Sequence, residues 1–435
     1  MLIFMIAVTA LLLLTAYVIY RNLTSPLVLL ITAFLVSCLI ILENYYNWEI
    51  QVNPIFVLYC LTAIGAFAAG CFIIDAAKEK RMLLVSHPEK QVINYSRKLP
   101  VKSTAIFSAV LVVLYIGLII KSADFSPGSG NVLRVIYEYV SSGNQSNFFL
   151  HQLFEILQAI GKISIFGILV GKYVVKRKIS VLELLPLVLL FICIIFSTDR
   201  NVFIRFFIYV LVLWIMISCS VSTESVNRTN MMILYKVFLA GIIFIAVFYV
   251  LGKIKNYTSN LERMIGIYGG SGLYNFNMFL AKETDIKLRY GAECISSICA
   301  VLQRFGVPVS AAFAPAEQKF IIFTAHNGYV YASNIYSSMW PYVLDFGYAG
   351  VIIYPLLLGM LFEFLYQRAE ANRCGFSWIL YAHMIYSVIF FPISEQFFLR
   401  LHLGFVYEIF WLWVVYYCIY KDSAVKTRLL SVFRR

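Results

Sequence analysis

Charged side chains are scarce in this sequence: only 13% of its 435 residues are Asp, Glu, Lys or Arg, against about 25% in soluble globular proteins. Hydrophobic residues make up 61% of the chain, and its mean hydropathy is +0.83. One soluble core could not bury so many apolar side chains. A soluble enzyme, a secreted disulfide scaffold and a disordered tail are therefore excluded, and a lipid bilayer is the expected solvent.

Motifs of several common chemistries are also missing. No P-loop, HExxH, G-x-S-x-G or CxxC pattern occurs, and most of the nine cysteines lie within apolar runs, where they serve as small hydrophobic residues. We therefore expect no metal, no cofactor and no use of ATP or a cytosolic nucleotide-sugar. The formal charge of +13 does not indicate nucleic acid here, because in a membrane protein the basic residues mainly report orientation.

A transmembrane helix needs about 20 predominantly apolar residues. Eleven segments meet or approach this length, which predicts an all-α polytopic membrane protein with about eleven transmembrane helices and one large external loop containing short helices. The predicted spans are Leu2–Tyr20, Leu27–Leu42, Pro54–Ile74, Ser103–Ile120, Leu150–Tyr173, Val181–Phe196, Val202–Cys219, Met231–Leu251, Tyr342–Tyr366, Phe376–Ile393 and Leu399–Tyr420.

The distribution of basic residues predicts the orientation. Twenty lysines and arginines fall on the side of loop 76–102, and five fall in the short loops and nearby helix ends of the opposite side, so we expect an external N-terminus and a cytoplasmic C-terminus. The predicted domains are helices 1–8 in residues 1–251, an external loop at 252–341, helices 9–11 in 342–420 and a basic cytoplasmic tail at 421–435.

The external loop of about 90 residues is far longer than the usual connection of about 4–6, which indicates a functional segment. Its sequence predicts amphipathic helices at Asn260–Leu280 and Ala292–Phe305, with turns at the glycines between them. Those turn signals are Gly269, Gly270 and Gly272. A cysteine placed near Asn277 is expected to react with an impermeant reagent from outside.

Two arginines follow a short polar turn at the outer end of a predicted helical hairpin. Arg200 comes directly after Asp199, and Arg205 lies about one helical turn deeper. A guanidinium stays charged at neutral pH and binds phosphate oxygens bidentately, so the pair predicts a site for a lipid-linked phosphate or pyrophosphate. Membrane anchoring by snorkelling is the alternative.

The fifth predicted span carries a polar stripe. His151, Glu155, Gln158 and Lys162 recur at helical spacing and fall on one narrow face. Such a stripe is costly against lipid, so it is expected to face other helices or a wet cavity. The pattern does not distinguish a substrate contact from a Glu155–Lys162 bridge that sets helix packing.

Aromatic and amide side chains follow the external loop. Their combination suits sugar rings, which present apolar C–H patches together with hydroxyls, although aromatic residues also form the interfacial belt. These residues are Tyr329, Asn334, Tyr336 and Trp340. Ionisable groups nearby are candidates for a general base, with a helix N-terminal role as the alternative for Asp345. They are His326, Asp345 and, in the last external turn beside Arg400, Glu395.

The run from Asn334 to Gly350 resembles the segment that follows the large external loop in Wzy-type oligosaccharide repeat-unit polymerases, which make O-antigens and capsules. The stretch 197–201 followed by Arg205 resembles their arginine-bearing hairpin, and Tyr268-Gly269-Gly270 is similar to their Tyr-Gly-Gly stretch. This resemblance implies a GT-C-like, metal-independent glycosyltransferase of the bacterial inner membrane. Its donor would be a growing glycan on undecaprenyl pyrophosphate and its acceptor one lipid-linked repeat unit.

The resemblance also implies residue roles and partners. The catalytic base would be one of four candidates, Asp199, His326, Asp345 and Glu395, and Tyr268 would contact sugar. The pyrophosphate would be held by Arg200 and Arg205, with Arg263, Arg289 and Arg400 in support. Partners would be membrane lipids, a chain-length regulator and a flippase. An O-antigen ligase-type enzyme and a transporter or flippase of lipid-linked glycans are the alternatives.

Overall fold

The computed structural model describes residues 1–82, 101–123, 132–141, 148–197, 200–221, 226–254, 261–282, 286–310, 313, 316, 318–372 and 375–420, without the side chains at 78–82, 133–134, 137, 140–141, 200, 226–227 and 251–254. The described chain is mostly helical. Nine of its helices are long and apolar enough to cross a membrane, and Val181–Ser197 and Phe376–Ile389 are shorter apolar helices. The protein is therefore an all-α polytopic membrane protein.

The elements follow the chain in this order: α1 Leu2–Tyr20, α2 Pro26–Glu43, α3 Pro54–Met82, α4 Val101–Ser122, α5 Val132–Ser141, α6 Phe148–Tyr173, α7 Val181–Ser197, α8 Arg200–Val221, α9 Val226–Ile254, α10 Leu261–Ile265, a π-helix Gly266–Gly270, α11 Ser271–Lys282, α12 Ser296–Arg304, β1 Ile321–Thr324, β2 Val330–Ser333, α13 Met339–Phe346, α14 Tyr348–Ala371, α15 Phe376–Met384, α16 Tyr386–Ile389, a 3-10 helix Phe398–Arg400 and α17 Leu403–Tyr420. They form two compact units. The first comprises residues 1–90, 258–371 and 384–403, and the second comprises 91–257, 372–383 and 404–435.

Helices α3 and α14 pack closely against each other in the first unit. A Cβ atom at Gly70 would lie 2.2 Å from the carbonyl oxygen of Leu356, and one at Gly359 would lie 2.2 Å from that of Phe67. Small residues let helix backbones approach in a membrane, where lipid supplies no hydrophobic drive between helices. These two glycines therefore set the separation of the pair.

The predicted span Tyr342–Tyr366 is wrong at its start. The chain leaves α13 at Gly347, which has φ of +59°, and α14 begins one residue later. A side chain at Gly350 would meet the carbonyl oxygen of Tyr342 at 2.0 Å. The turn therefore needs glycine at both positions, a steric requirement that hydropathy does not record.

The predicted turn at Gly269, Gly270 and Gly272 is also wrong. All three lie within the continuous helical stretch of α10, the π-helix and α11. A Cβ at Gly269 would lie 2.4 Å from Ile40 Cδ1 of α2, and one at Gly272 would lie 2.3 Å from the carbonyl oxygen of Ile393. The glycines permit close packing here instead of ending a helix.

Residues 321–333 form a hairpin that the spacing of apolar residues did not predict. β1 pairs with β2 in antiparallel register, with Ile321 opposite Ser333. The turn contains Asn327 and Gly328, and Gly328 has φ of +77°, a common hairpin combination. His326 N–H donates to the carbonyl of Asn47 at 3.0 Å, which attaches the hairpin to the loop between α2 and α3.

Helix α6 lies at the centre of the second unit. In its most apolar stretch of 18 residues, 89% of the residues are buried. Two hydrogen bonds join neighbouring helices to it. The Tyr209 hydroxyl of α8 donates to the carbonyl of Lys162 at 2.8 Å, and the Trp411 indole of α17 donates to Gln152 Oε1 at 2.7 Å. These bonds fix the faces that α8 and α17 present to α6.

Gly70→Ala is expected to lower the thermal stability of the detergent-purified protein, because the new methyl group meets backbone that cannot rotate away. The cost expected from overpacking is about 1–3 kcal/mol. Gly65→Ala on the same helix is the matched control, since its Cβ would have no neighbour within 4 Å. Equal melting temperatures for the two variants would contradict the close approach of α3 and α14.

Candidate functional site

A chain of polar side chains runs along α6 in the second unit. His151 Nδ1 lies 3.5 Å from Glu155 Oε1. The Gln158 amide donates to the same oxygen at 3.3 Å, and Lys162 Nζ donates to Gln158 Oε1 at 3.4 Å. Glu155, Gln158 and Lys162 are buried, whereas His151 is exposed. The stripe faces the helix bundle, and Gln158 connects its two charged members.

The chain of contacts continues from Lys162 onto three other helices. Lys162 Nζ lies 3.4 Å from His383 Nδ1 on α15. His383 Nε2 lies 3.4 Å from Glu408 Oε2 on α17, and Glu408 Oε1 lies 3.9 Å from Arg205 Nη1 on α8. We call Lys162, His383, Glu408 and Arg205 the membrane charge cluster.

Burial makes the membrane charge cluster unusual. Lys162 and His383 are each 3% exposed and Glu408 is 8% exposed, and Lys162 lies about 21 Å along α6 from Phe148 at about 1.5 Å per residue. An ionised side chain is costly to bury in an apolar interior unless it is paired. Ionisable groups at such depth mark ion, proton or substrate sites in membrane proteins.

The predicted arginine hairpin is only partly described. Asp199 lies outside the described residues, as does the side chain of Arg200. Arg205 Nε donates to the carbonyl of Asn201 at 3.2 Å, and its side chain is 20% exposed beside Glu408. Arg205 therefore faces a carboxylate and keeps an accessible edge that could meet an anion.

Two adjoining pockets open in the first unit. The first, of about 500 Å³, is lined by Glu293, Lys319 and Asn334 among others, and we call it the Glu293 pocket. The second, of about 530 Å³, is the Trp340 pocket. Both volumes fall in the range of about 300–1,000 Å³ that small-ligand sites occupy. The pockets share Ala316, Lys319 and Phe320.

The Trp340 pocket combines aromatic rings with three ammonium groups. Tyr336 and Trp340 line it with ring centroids 5.0 Å apart, and the Tyr336 hydroxyl donates to the carbonyl of Lys319 at 3.0 Å. Burial raises the pKa of Tyr336, so this hydroxyl keeps its proton at neutral pH. The cationic lining residues are Lys282, Lys287 and Lys319.

Three of the five predicted sugar-contacting residues line these pockets: Asn334 in the Glu293 pocket, and Tyr336 and Trp340 in the Trp340 pocket. Tyr268 lies in the π-helix, and Tyr329 is exposed beside the hairpin turn. Neither of these two lines either pocket. Asn334, Tyr336 and Trp340 therefore lie at concave surfaces, and their contact with sugar stays a prediction.

Asp345 is fully buried, and its oxygens accept three hydrogen bonds. Oδ1 accepts from the backbone N–H of Glu293 at 2.8 Å, and Oδ2 accepts from that of Cys294 and from the Tyr354 hydroxyl, each at 3.0 Å. These bonds attach residues 293–294 to α13 and α14. The geometry gives Asp345 a structural part in holding the wall of the Glu293 pocket.

Glu395 is buried in a similar way. Its carboxylate accepts from the backbone N–H groups of Phe397, Phe398 and Leu399 at 2.7–2.9 Å, and the Tyr342 hydroxyl lies 3.4 Å away. Burial raises the pKa of Glu395, while the backbone donors oppose that rise. The carboxylate satisfies the free N–H groups of the 3-10 helix.

Glu293 is the carboxylate that lines a pocket. It is 1% exposed, forms an ion pair with Arg289 and accepts the backbone N–H of Ala316 at 2.8 Å. Burial raises the pKa of Glu293, and its bonds to Ala316 and Arg289 oppose that rise. A carboxylate with a raised pKa beside a cavity can exchange protons with a ligand.

The other predicted residues engage protein groups. His326 Nε2 lies 3.0 Å from Glu49 Oε1, with both side chains more than two-thirds exposed. The guanidinium of Arg263 lies 5.9 Å from the ring centre of Tyr331, and that of Arg400 lies 5.3 Å from Tyr386. With Arg289 paired to Glu293, the three arginines each contact a side chain of the first unit.

Sequence reasoning missed His383 and Glu408. Glu408 is the only acidic residue in α17, and His383 is the only residue of α15 other than Tyr381 with an ionisable side chain. A search for lone ionisable residues inside apolar spans would have found both. Among the described residues, no group of three His, Cys, Asp or Glu side chains could hold a metal ion.

Comparison of the chain with protein-family models, with curated proteins and with solved structures found no match. No relative therefore assigns a role to a residue of this chain. The roles of the two pockets and of the membrane charge cluster are inferred from their geometry and chemistry alone.

Asp345→Asn is expected to lower the melting temperature of the purified protein, because an amide N–H₂ would replace an acceptor opposite backbone donors. An unsatisfied buried donor costs about 1–3 kcal/mol. Glu262→Gln, on an exposed carboxylate of α10, should leave stability unchanged. A stable Asp345→Asn protein that has lost its activity would instead make Asp345 a catalytic base.

Proposed function

We propose that this chain polymerises lipid-linked oligosaccharide repeat units at the outer face of a bacterial cytoplasmic membrane, as a Wzy-type glycosyltransferase. The donor is a glycan on undecaprenyl pyrophosphate and the acceptor is a second lipid-linked repeat unit. The Trp340 pocket is the observation that carries the proposal, because it joins buried aromatic rings to three lysines. Rings suit sugar faces, and ammonium groups suit phosphate.

The proposed reaction requires no nucleotide. The bond between the anomeric carbon and the pyrophosphate oxygen breaks, and the same carbon bonds to an acceptor hydroxyl oxygen. The bonding electrons leave with the pyrophosphate, and the hydroxyl proton passes to a base. Fixed cations act where this negative charge develops, and the lysines of the Trp340 pocket are the candidates for that role, with Arg205 of the second unit as the alternative candidate.

The base of the proposed reaction is best sought among carboxylates that a ligand can reach. Glu293 lines a pocket, and its bonds to Ala316 and Arg289 both involve Oε1, whereas both oxygens of Asp345 and both of Glu395 accept backbone donors. Glu293 is therefore the first candidate for testing, and Asp199 and His326 stay candidates from the sequence. The proposed partners of the protein are a chain-length regulator and a flippase of the same glycan pathway.

A transporter of lipid-linked glycans is the second candidate function. The membrane charge cluster supports it, because buried histidine, lysine and carboxylate groups in contact are typical of proton-coupled carriers. A ligase-type glycosyltransferase would use the same donor with a different acceptor. A transporter would move the lipid-linked glycan to the other side of the membrane without changing it. A polymerase or a ligase would form a new glycosidic bond.

The proposed topology has eleven spans, with Val181–Ser197 and Phe376–Ile389 included, an external N-terminus and a cytoplasmic C-terminus. The earlier labelling position, Asn277, is unsuitable because its side chain is buried and bonded to Asn53 N–H. Asn327→Cys, at the exposed hairpin turn, should react with an impermeant maleimide in intact cells. Lys178→Cys, also exposed, should react only after lysis, and the reverse pattern would invert the orientation.

Trp340→Ala is expected to reduce polymer formation about tenfold in cells that depend on this chain, because a lost ring contact of about 1.4 kcal/mol corresponds to a factor of ten. Trp340→Phe should restore part of the loss. Phe305→Ala, on a ring that is 73% exposed, is the matched control. Polymer length is read on a gel, at equal protein levels. Full-length polymer from Trp340→Ala would remove the pocket from the function.

A further inference from the structure

We propose that Lys162, His383 and Glu408 form a proton relay within the membrane, in which His383 passes a proton between the Lys162 amine and the Glu408 carboxylate. The imidazole lies between the two groups, 3.4 Å from Lys162 Nζ through Nδ1 and 3.4 Å from Glu408 Oε2 through Nε2. All three side chains are more than nine-tenths buried. This relay goes beyond glycosyl transfer and does not depend on it.

The contacts define the resting arrangement of hydrogens on His383. An ammonium group has three donors and no acceptor, so Nδ1 must present its lone pair to Lys162. The ring hydrogen is then on Nε2, which faces the ionised Glu408. Both 3.4 Å separations are longer than the usual N–H···O distance of about 2.9–3.0 Å, so side-chain rotation is needed for transfer in either direction.

The transfer step is balanced. Lys162 gives one proton to Nδ1, and Nε2 gives its proton to Glu408, so the amine and the carboxylic acid both become neutral. The imidazole stays neutral and only exchanges its tautomer. Net charge is unchanged, but two separated charges disappear from an apolar interior, where isolated charges are costly.

The groups around the relay decide which state is favoured. On α6, Gln158 Oε1 accepts from Lys162, and Glu155 lies beyond it with exposed His151. These groups favour the charged amine.

On α8, the guanidinium of Arg205 stands 3.9 Å from Glu408 and favours the ionised carboxylate. The Tyr209 hydroxyl of the same helix is occupied by the carbonyl of Lys162. Arg205 is therefore the group whose removal should move the proton, and an anion that draws Arg205 away from Glu408 would act in the same direction.

The test is the tautomer of His383, read by nitrogen-15 NMR of protein labelled at histidine and reconstituted in lipid. Comparison with His383→Gln assigns the signals among the five histidines. The wild-type ring is expected to carry its hydrogen on Nε2 at pH 7. In Arg205→Gln the hydrogen should shift toward Nδ1. Arg304→Gln, on an exposed arginine of α12, should leave the wild-type spectrum.

A second variant keeps the relay testable if Arg205→Gln does not fold. Lys162→Met removes the group that contacts Nδ1 and leaves Glu408 in place beside Nε2, so the nitrogen-15 signal of Nδ1 should shift. The relay is overturned if the wild-type hydrogen is on Nδ1, or if neither variant changes the His383 signals. The NMR experiment contains no glycan. Its result therefore does not depend on whether the protein polymerises lipid-linked repeat units.

Discussion

The structure depends on pairing the few ionisable side chains that an apolar helical bundle must bury. In the second unit this constraint organises helix packing. Lys162 of α6 meets His383 of α15, which meets Glu408 of α17, which meets Arg205 of α8. An unpaired charge at any of these positions would cost several kcal/mol, so each contact fixes the rotation of the helix that supplies it.

The first unit applies the same constraint to backbone groups. Asp345 and Glu395 satisfy N–H groups of chain that has left regular helix, and an unsatisfied buried donor would be costly. Residues 293 and 294 are thereby held against α13 and α14. What this arrangement leaves open is a concave surface lined by aromatic rings and lysines, which is the chemistry that a glycan bearing phosphate needs.

Much of the fold follows from the sequence, because hydropathy and length report directly on membrane spans. The stripe on α6 was predictable for a similar reason, since its spacing matches one helix face. The partners of that stripe were not. His383 and Glu408 lie more than 200 residues from Lys162 along the chain, and only the packing of α15 and α17 brings them there.

The glycines show the same limit. Gly269, Gly270 and Gly272 resemble a turn in the sequence, yet their lack of a side chain allows close packing against Ile40 and Ile393.

The lining of the Trp340 pocket also shows which residues a sequence can single out and which it cannot. Tyr336 and Trp340 stand out as aromatic residues, whereas Lys282, Lys287 and Lys319 become a group only when α11, α13 and residues 286–287, 316 and 319–321 enclose a pocket.

The most direct measurement is incubation of the purified protein with a defined lipid-pyrophosphate-linked repeat unit, without added metal or nucleotide. The proposed polymerisation predicts a ladder of products that grow by one repeat unit, together with release of one lipid pyrophosphate for each new bond. Quantitative recovery of the unreacted repeat unit, from protein that binds it, would contradict the account.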